Sequence, residues 1–138
     1  LHEQFIDESD AVNGKSLKAE QWRQLTCKGR NMDFCQLFGQ KENSICYALI
    51  YVQSDKDQLA QARIGTDDGC KLWHNGQVIL FSTVLRGMRA DQNIVDVQLN
   101  QGINTFLLKV MNGGGDWGAV FRITDQQGNP IKGVSYIP

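Results

Sequence analysis

From Ile45 onward, apolar positions recur mostly at every second residue, in short runs separated by turns rich in glycine and asparagine. That period belongs to strands and not to helices. The run ICYALIYV is apolar on both alternating faces and predicts a central strand covered on both sides. LAQARIGT alternates, with Leu59, Ala62 and Ile64 as its apolar members. CKLWHNGQVILF predicts a hairpin, because Asn75-Gly76 supplies the positive φ values of a two-residue type I′ turn. In IVDVQL, Ile94 and Asp96 oppose Val95, Val97 and Leu99. Gln101-Gly102 turns the chain into INTFLLKVM, and a glycine-rich loop leads on to WGAVFRIT. Gly128-Asn129-Pro130 then precedes a last short strand around Val134 to Ile137. Helical period is confined to Ser16 to Leu25, where Ser16 is a candidate cap.

Many short strands with glycine-based turns and little helix predict an all-β protein, an antiparallel β-sandwich or jelly roll. No internal repeat or low-complexity linker divides the sequence, so residues 1–138 read as a single module. Starting at Leu1 without a Met, the chain is either mature or a piece excised from a larger protein. If successive strands reverse direction, alternate turns share an end of the sandwich. Asn75-Gly76 and Gln101-Gly102 then lie at one end. TDDG, STVLRGMRADQN and NGGGDWG gather at the other, which is far richer in charged and aromatic residues.

The 14 basic and 15 acidic side chains give a formal net charge of −1, with no basic cluster. A nucleic-acid partner would need clustered Lys and Arg, so none is expected, and no apolar run is long enough for membrane insertion. Four cysteines, Cys27, Cys35, Cys46 and Cys70, contain no CxxC, and neither His2 nor His74 stands at zinc-ligand spacing from them. Cys46 and Cys70 lie in apolar patterns and read as buried thiols. Cys27 and Cys35 flank a short segment, and their pairing stays open.

The ordered motifs YALIYVQSD, ARIGTDDGCKLWHNGQVI, RGMRADQNIVDVQLNQGINTFLLKV and GGGDWGAVFRITDQQGNP resemble the galactose-binding-domain-like jelly-roll modules of large bacterial multidomain proteins. The similarity runs from about Trp22 to about Gly133. Such modules often stand beside glycoside hydrolases or other polysaccharide-processing domains. The resemblance implies a carbohydrate-binding-module-like role outside the cell or at its surface, including the periplasm. The DDG element also looks like the paired-aspartate loop of protective-antigen-type lectin domains, in which calcium holds a sugar. One departure is His74, where the family commonly has an apolar residue; its ring is expected at an exposed edge or hydrogen-bonded in the core.

Asp67 and Asp68 are therefore candidate Ca²⁺ ligands, since calcium takes several carboxylate and carbonyl oxygens from different loops. Asp91 and Asp116 would complete the shell if their loops converge. The preferred reading is turn chemistry, in which Asp side chains bond local N–H groups and Gly69 takes a left-handed conformation. Arg86, Arg89 and Asp91 suit sugar hydroxyls, or else form an arginine–aspartate salt bridge that fixes their own loop. Trp117, after three glycines and Asp116, offers a face for a pyranose, although its strand context also suits the core. Trp73 is expected between the sheet and a covering loop, with Trp22 placed likewise near the N-terminal edge.

Short loops on a small sandwich suggest no deep cleft, and neither a Ser/His/Asp set nor a phosphate-binding loop appears. The sequence is thus read as non-catalytic, needing no cofactor other than calcium if the lectin likeness holds. Its expected ligand is a carbohydrate, held by Asp67, Arg86, Arg89, Asp91, Asn112, Asp116 and Trp117, with a linked catalytic domain as partner. The rival reading is a structural or protein-interaction module packed on that domain, which would show an extended apolar patch.

Overall fold

The computed structural model describes residues 5–12, 22–27 and 29–138. In chain order the elements are α1 (Glu8–Val12), β1 (Asn31–Asp33), α2 (Phe34–Phe38), β2 (Ser44–Ser54), β3 (Gln58–Thr66), β4 (Cys70–His74), β5 (Gln77–Ser82), β6 (Asn93–Leu99), β7 (Gly102–Asn112), β8 (Gly118–Thr124) and β9 (Val134–Ile137). They build two antiparallel sheets, ordered β1-β8-β3-β6 and β5-β4-β7-β2-β9, which face each other as a β-sandwich.

Period-2 alternation explains the core. Ala60, Ala62 and Ile64 of β3, Val97 and Leu99 of β6, and Ala119, Phe121 and Ile123 of β8 point inward from the smaller sheet. Cys46 and Val52 of β2, Cys70 and Leu72 of β4, and Phe106, Leu108 and Val110 of β7 meet them from the larger one. Leu59 corrects the expectation for β3: it is 54% exposed, and Ala60 takes the core position. A strand cannot turn Leu59 inward with Ala62 and Ile64, because their parities differ.

The larger sheet is also covered on its outer face, as the two-sided apolar run of β2 predicts. Trp73 and Leu107 are buried there beneath Ala11 and Val12, with Ile6, Trp22, Tyr47 and Leu49 packed around them. This matches the placement expected for Trp73 and Trp22. An ion cluster pins the covering segment. Buried Glu8 accepts hydrogen bonds from the Lys109 ammonium and the Tyr47 hydroxyl, each at 2.8 Å, and Lys71 stands 3.9 Å away. Burial pulls the Lys109 ammonium down, but its bonds to Glu8 and Tyr47 outweigh that and hold it above an ordinary lysine.

Both helices are one-turn pieces missed by the periodicity, which needs longer runs. Each is capped at its start: Asp7 accepts from the Asp10 N–H, and Asp33 from the Gln36 N–H, each at 3.0 Å. The helix expected at Ser16 to Leu25 lies outside the described residues from 16 to 21, and residues 22–25 belong to no regular element. All four cysteines are free thiols. Burial drives the Cys46 thiol up to about 12 and also raises those of Cys70 and Cys27.

Candidate functional site

The strands switch sheets repeatedly, yet every connection from β2 to β9 still reverses direction. The turns at Asn75-Gly76 and Gln101-Gly102 therefore do share one end. Asn75 and Gly76 both have positive φ, and the Asn75 N–H donates to the Thr105 carbonyl at 2.9 Å. Here His74 proves to be a core histidine, buried and stacked on Phe106 at 4.5 Å. The Asn104 side-chain N–H donates to the Asn100 and Gly102 carbonyls, which fixes Oδ1 as the atom facing His74. His74 Nε2 must then be the donor across 3.3 Å.

At the opposite end, Asp68 gathers the three chemistry-rich loops. One carboxylate oxygen accepts the Arg86 N–H at 3.1 Å and the other accepts the Gly113 N–H at 2.7 Å. The Asp68 N–H in turn donates to the Arg86 carbonyl at 2.8 Å. The left-handed residue of this turn is Asp68 itself, at φ +63°, and Gly69 is not in that region. Aspartate tolerates this conformation because its short side chain can be bonded locally, as it is here.

Most of the expected ligand contacts are spent inside the protein. Arg86 donates to Thr66 Oγ1 and Asn93 Oδ1, and its buried Nε has no partner among the described residues. Asn112 is fully buried, donating to the Lys41 carbonyl at 2.6 Å and accepting from the Gly114 N–H. Asp91 leaves this cluster for the outer face of the smaller sheet, where it pairs with Arg63 of β3 and Arg122 of β8. The salt bridge anticipated for that loop thus exists, but its arginines come from neighbouring strands and not from Arg86 or Arg89. The bonds from Arg122 above all, with those from Arg63, hold the Asp91 carboxyl below its usual range against the opposing pull of burial.

Asp67, Asp116 and Arg89 keep accessible side chains. Burial and the charges of Asp68 and Asp116 push the Asp67 carboxyl up. Asp116 accepts from the Gln40 amide at 2.8 Å, and the Arg89 side chain makes no bond to a described residue. One backbone N–H is bonded to each Asp68 oxygen, which fixes the carboxylate within the turn. Among the described residues, no group of three or more His, Cys, Asp or Glu side chains is arranged to hold a metal ion.

Trp117 is a core residue, 5% exposed, with its ring edge-on to Phe34 at 5.4 Å and its indole N–H bonded to the Gly39 carbonyl. It nevertheless contributes to the lining of a groove of about 470 Å³ between the covering segment, α2 and the start of β2. Phe5, Trp22, Phe38 and Tyr47 add further rings to the lining, and Lys41 and Ser44 add polar atoms. No carboxylate is among its described lining residues. The aromatics come from distant positions, and only the fold of the N-terminal segment onto the sheet assembles them. Comparison with family models, curated proteins and solved structures returns no match for this chain.

Proposed function

We propose that this chain is a non-catalytic carbohydrate-binding module of the galactose-binding-like jelly-roll type. In this reading it tethers a linked enzyme to polysaccharide at the cell surface or outside the cell. The observation that carries the proposal is the groove whose walls are the rings of Trp22, Phe38, Tyr47 and Trp117. The apolar C–H face of a pyranose stacks on such rings, while Lys41 and Ser44 offer hydrogen-bonding partners to its hydroxyls. The groove's volume falls within the range of small-ligand sites. Its described lining residues include no carboxylate of the kind that serves as acid or base in glycosidic cleavage. Recognition moves from the Arg and Asp loops to this groove, with Asp116 and Gln40 beside it as polar neighbours of Trp117.

The test is calorimetry and tryptophan fluorescence against a panel of neutral oligosaccharides, with calcium and again with chelator. Phe38→Ala and Trp22→Ala should lose binding, Arg89→Ala should keep it, and chelation should change nothing. Loss in Arg89→Ala alone would return recognition to the loops, and loss on chelation would revive the paired aspartates as a calcium site. No binding to any glycan would sink the proposal in favour of a module that packs against its linked catalytic domain.

A further inference from the structure

Among its described lining residues the aromatic groove carries charge of one sign only. Lys41 is a cation there, and no carboxylate joins it. A second cation stands beside the groove: the Arg23 guanidinium lies over the ring of Phe38, one of the groove's walls, at 5.7 Å. Lys41 and Arg23 are both exposed, and neither forms an ion pair with a described residue. The neighbouring carboxylates Asp116 and Glu42 are not part of the lining. Asp116 accepts from the Gln40 amide, and Glu42 sits against Gly114. The backbone around Lys41 is fixed by two long-range bonds. Its own carbonyl accepts from the buried Asn112 amide at 2.6 Å, and the Gly39 carbonyl accepts the Trp117 indole N–H at 3.2 Å. The ammonium therefore starts from a set stretch of chain beside the rings, with its charge unpaired.

We infer that the groove prefers a uronic acid, a pyranose bearing a carboxylate, over a neutral sugar. This rests on the groove being a sugar site and names the class of sugar. A neutral pyranose needs rings and hydrogen bonds but no ionic partner, and covering a cation with it would cost desolvation without return. A uronate supplies that partner. Its carboxylate projects from the rim of the sugar ring, so the C–H face stays free to stack on the aromatic walls. A guanidinium presents parallel N–H donors that match the two oxygens of a planar carboxylate, and an ammonium adds a point charge. Arg23 and Lys41 are one of each.

Calorimetry of the whole chain against matched sugars tests this. The pairs are oligogalacturonate with its methyl ester, and oligoglucuronate with the neutral glucose oligomer of the same linkage. Each acid should bind about tenfold more tightly than its neutral partner at low salt, and the advantage should shrink as sodium chloride rises to about 0.5 M. Lys41→Gln and Arg23→Gln should each remove most of the preference while leaving affinity for the neutral sugar within about twofold. Lys41→Glu should reverse the preference, which a merely structural role for Lys41 would not do. Both positions are exposed, so unchanged thermal midpoints serve as the folding control. Equal binding within each pair overturns the inference and leaves the sugar-binding proposal standing. A preference that survives both glutamine variants also overturns it. Oligoglutamate binding as tightly as the uronates would do the same, since charge alone would then suffice. No binding of any sugar, acidic or neutral, removes both this inference and the proposal beneath it.

Discussion

Asp68 Oδ2 accepts the backbone N–H of Gly113 at 2.7 Å, across 45 positions of sequence. The same carboxylate holds the Arg86 N–H, so one buried side chain joins three loops. Replacing it by Ala removes two charge-assisted bonds and leaves a β-carbon residue at φ +63°. Asp68→Ala should cost about 3 kcal/mol in urea unfolding, and Asp68→Asn about half of that. Asparagine tolerates the conformation and keeps one acceptor. Added calcium should leave the wild-type midpoint unchanged.

Asp91 stitches β3 to β8 through Arg63 and Arg122. A carboxyl held below the unfolded value of 3.8 stabilises the fold above that pH, and the benefit is lost as pH falls through the lower folded value. Asp91→Asn should therefore lower stability by about 1–2 kcal/mol near neutrality. The difference from wild type should close in acid. Chemical denaturation at a series of pH values checks both parts.

His74 behaves in the opposite sense from a salt-bridged histidine. Burial lowers its pKa below 6.5, and the bond to Asn104 only partly restores it. Below 6.5 the unfolded chain takes up a proton that the folded chain refuses, so stability falls with pH there. His74→Leu should flatten the slope between about pH 7 and about pH 5, at a plateau cost of about 1 kcal/mol. Performing the comparison in a His2→Gln background removes the other histidine. An unchanged slope would refute the assignment.

Glu8 and Lys109 fasten the covering segment to the outer sheet face. Glu8→Leu removes a counter-charge 2.8 Å from a fully buried ammonium and should cost about 3 kcal/mol. Lys109→Met in addition should recover most of that loss, because an apolar pair of similar volume needs no desolvated charge. Unfolding midpoints of the two single variants and the double variant close the cycle. The single variants should also speed amide exchange in α1.

Several features were written locally. The alternation of IVDVQL, the Asn75-Gly76 hairpin and the two-sided run in β2 each depend on neighbours one or two residues away, and each appears where the pattern put it. The end at which Asp68, Arg86 and Gly113 meet also followed from strand reversal alone. The one-turn helices capped by Asp7 and Asp33 were not read, because five residues are too few to show a helical period.

What the tertiary structure alone decided is how each polar group spends its bonds. Asn112 and Trp117 look available in sequence, but the Lys41 and Gly39 carbonyls claim their N–H groups across more than seventy positions. Asp91 stands near Arg89 in the chain, yet a positive φ turns it toward Arg63 and Arg122 on adjacent strands. The close approach of the β5–β6 loop is equally invisible locally: Gly65 faces the Arg89 carbonyl where a β-carbon would collide. Sequence determined the strands and their turns because backbone sterics and side-chain parity act over a few residues. Which carbonyl meets which donor, and which rings share a groove, required the sheets and the N-terminal cover to pack, since burial is a property of the whole fold.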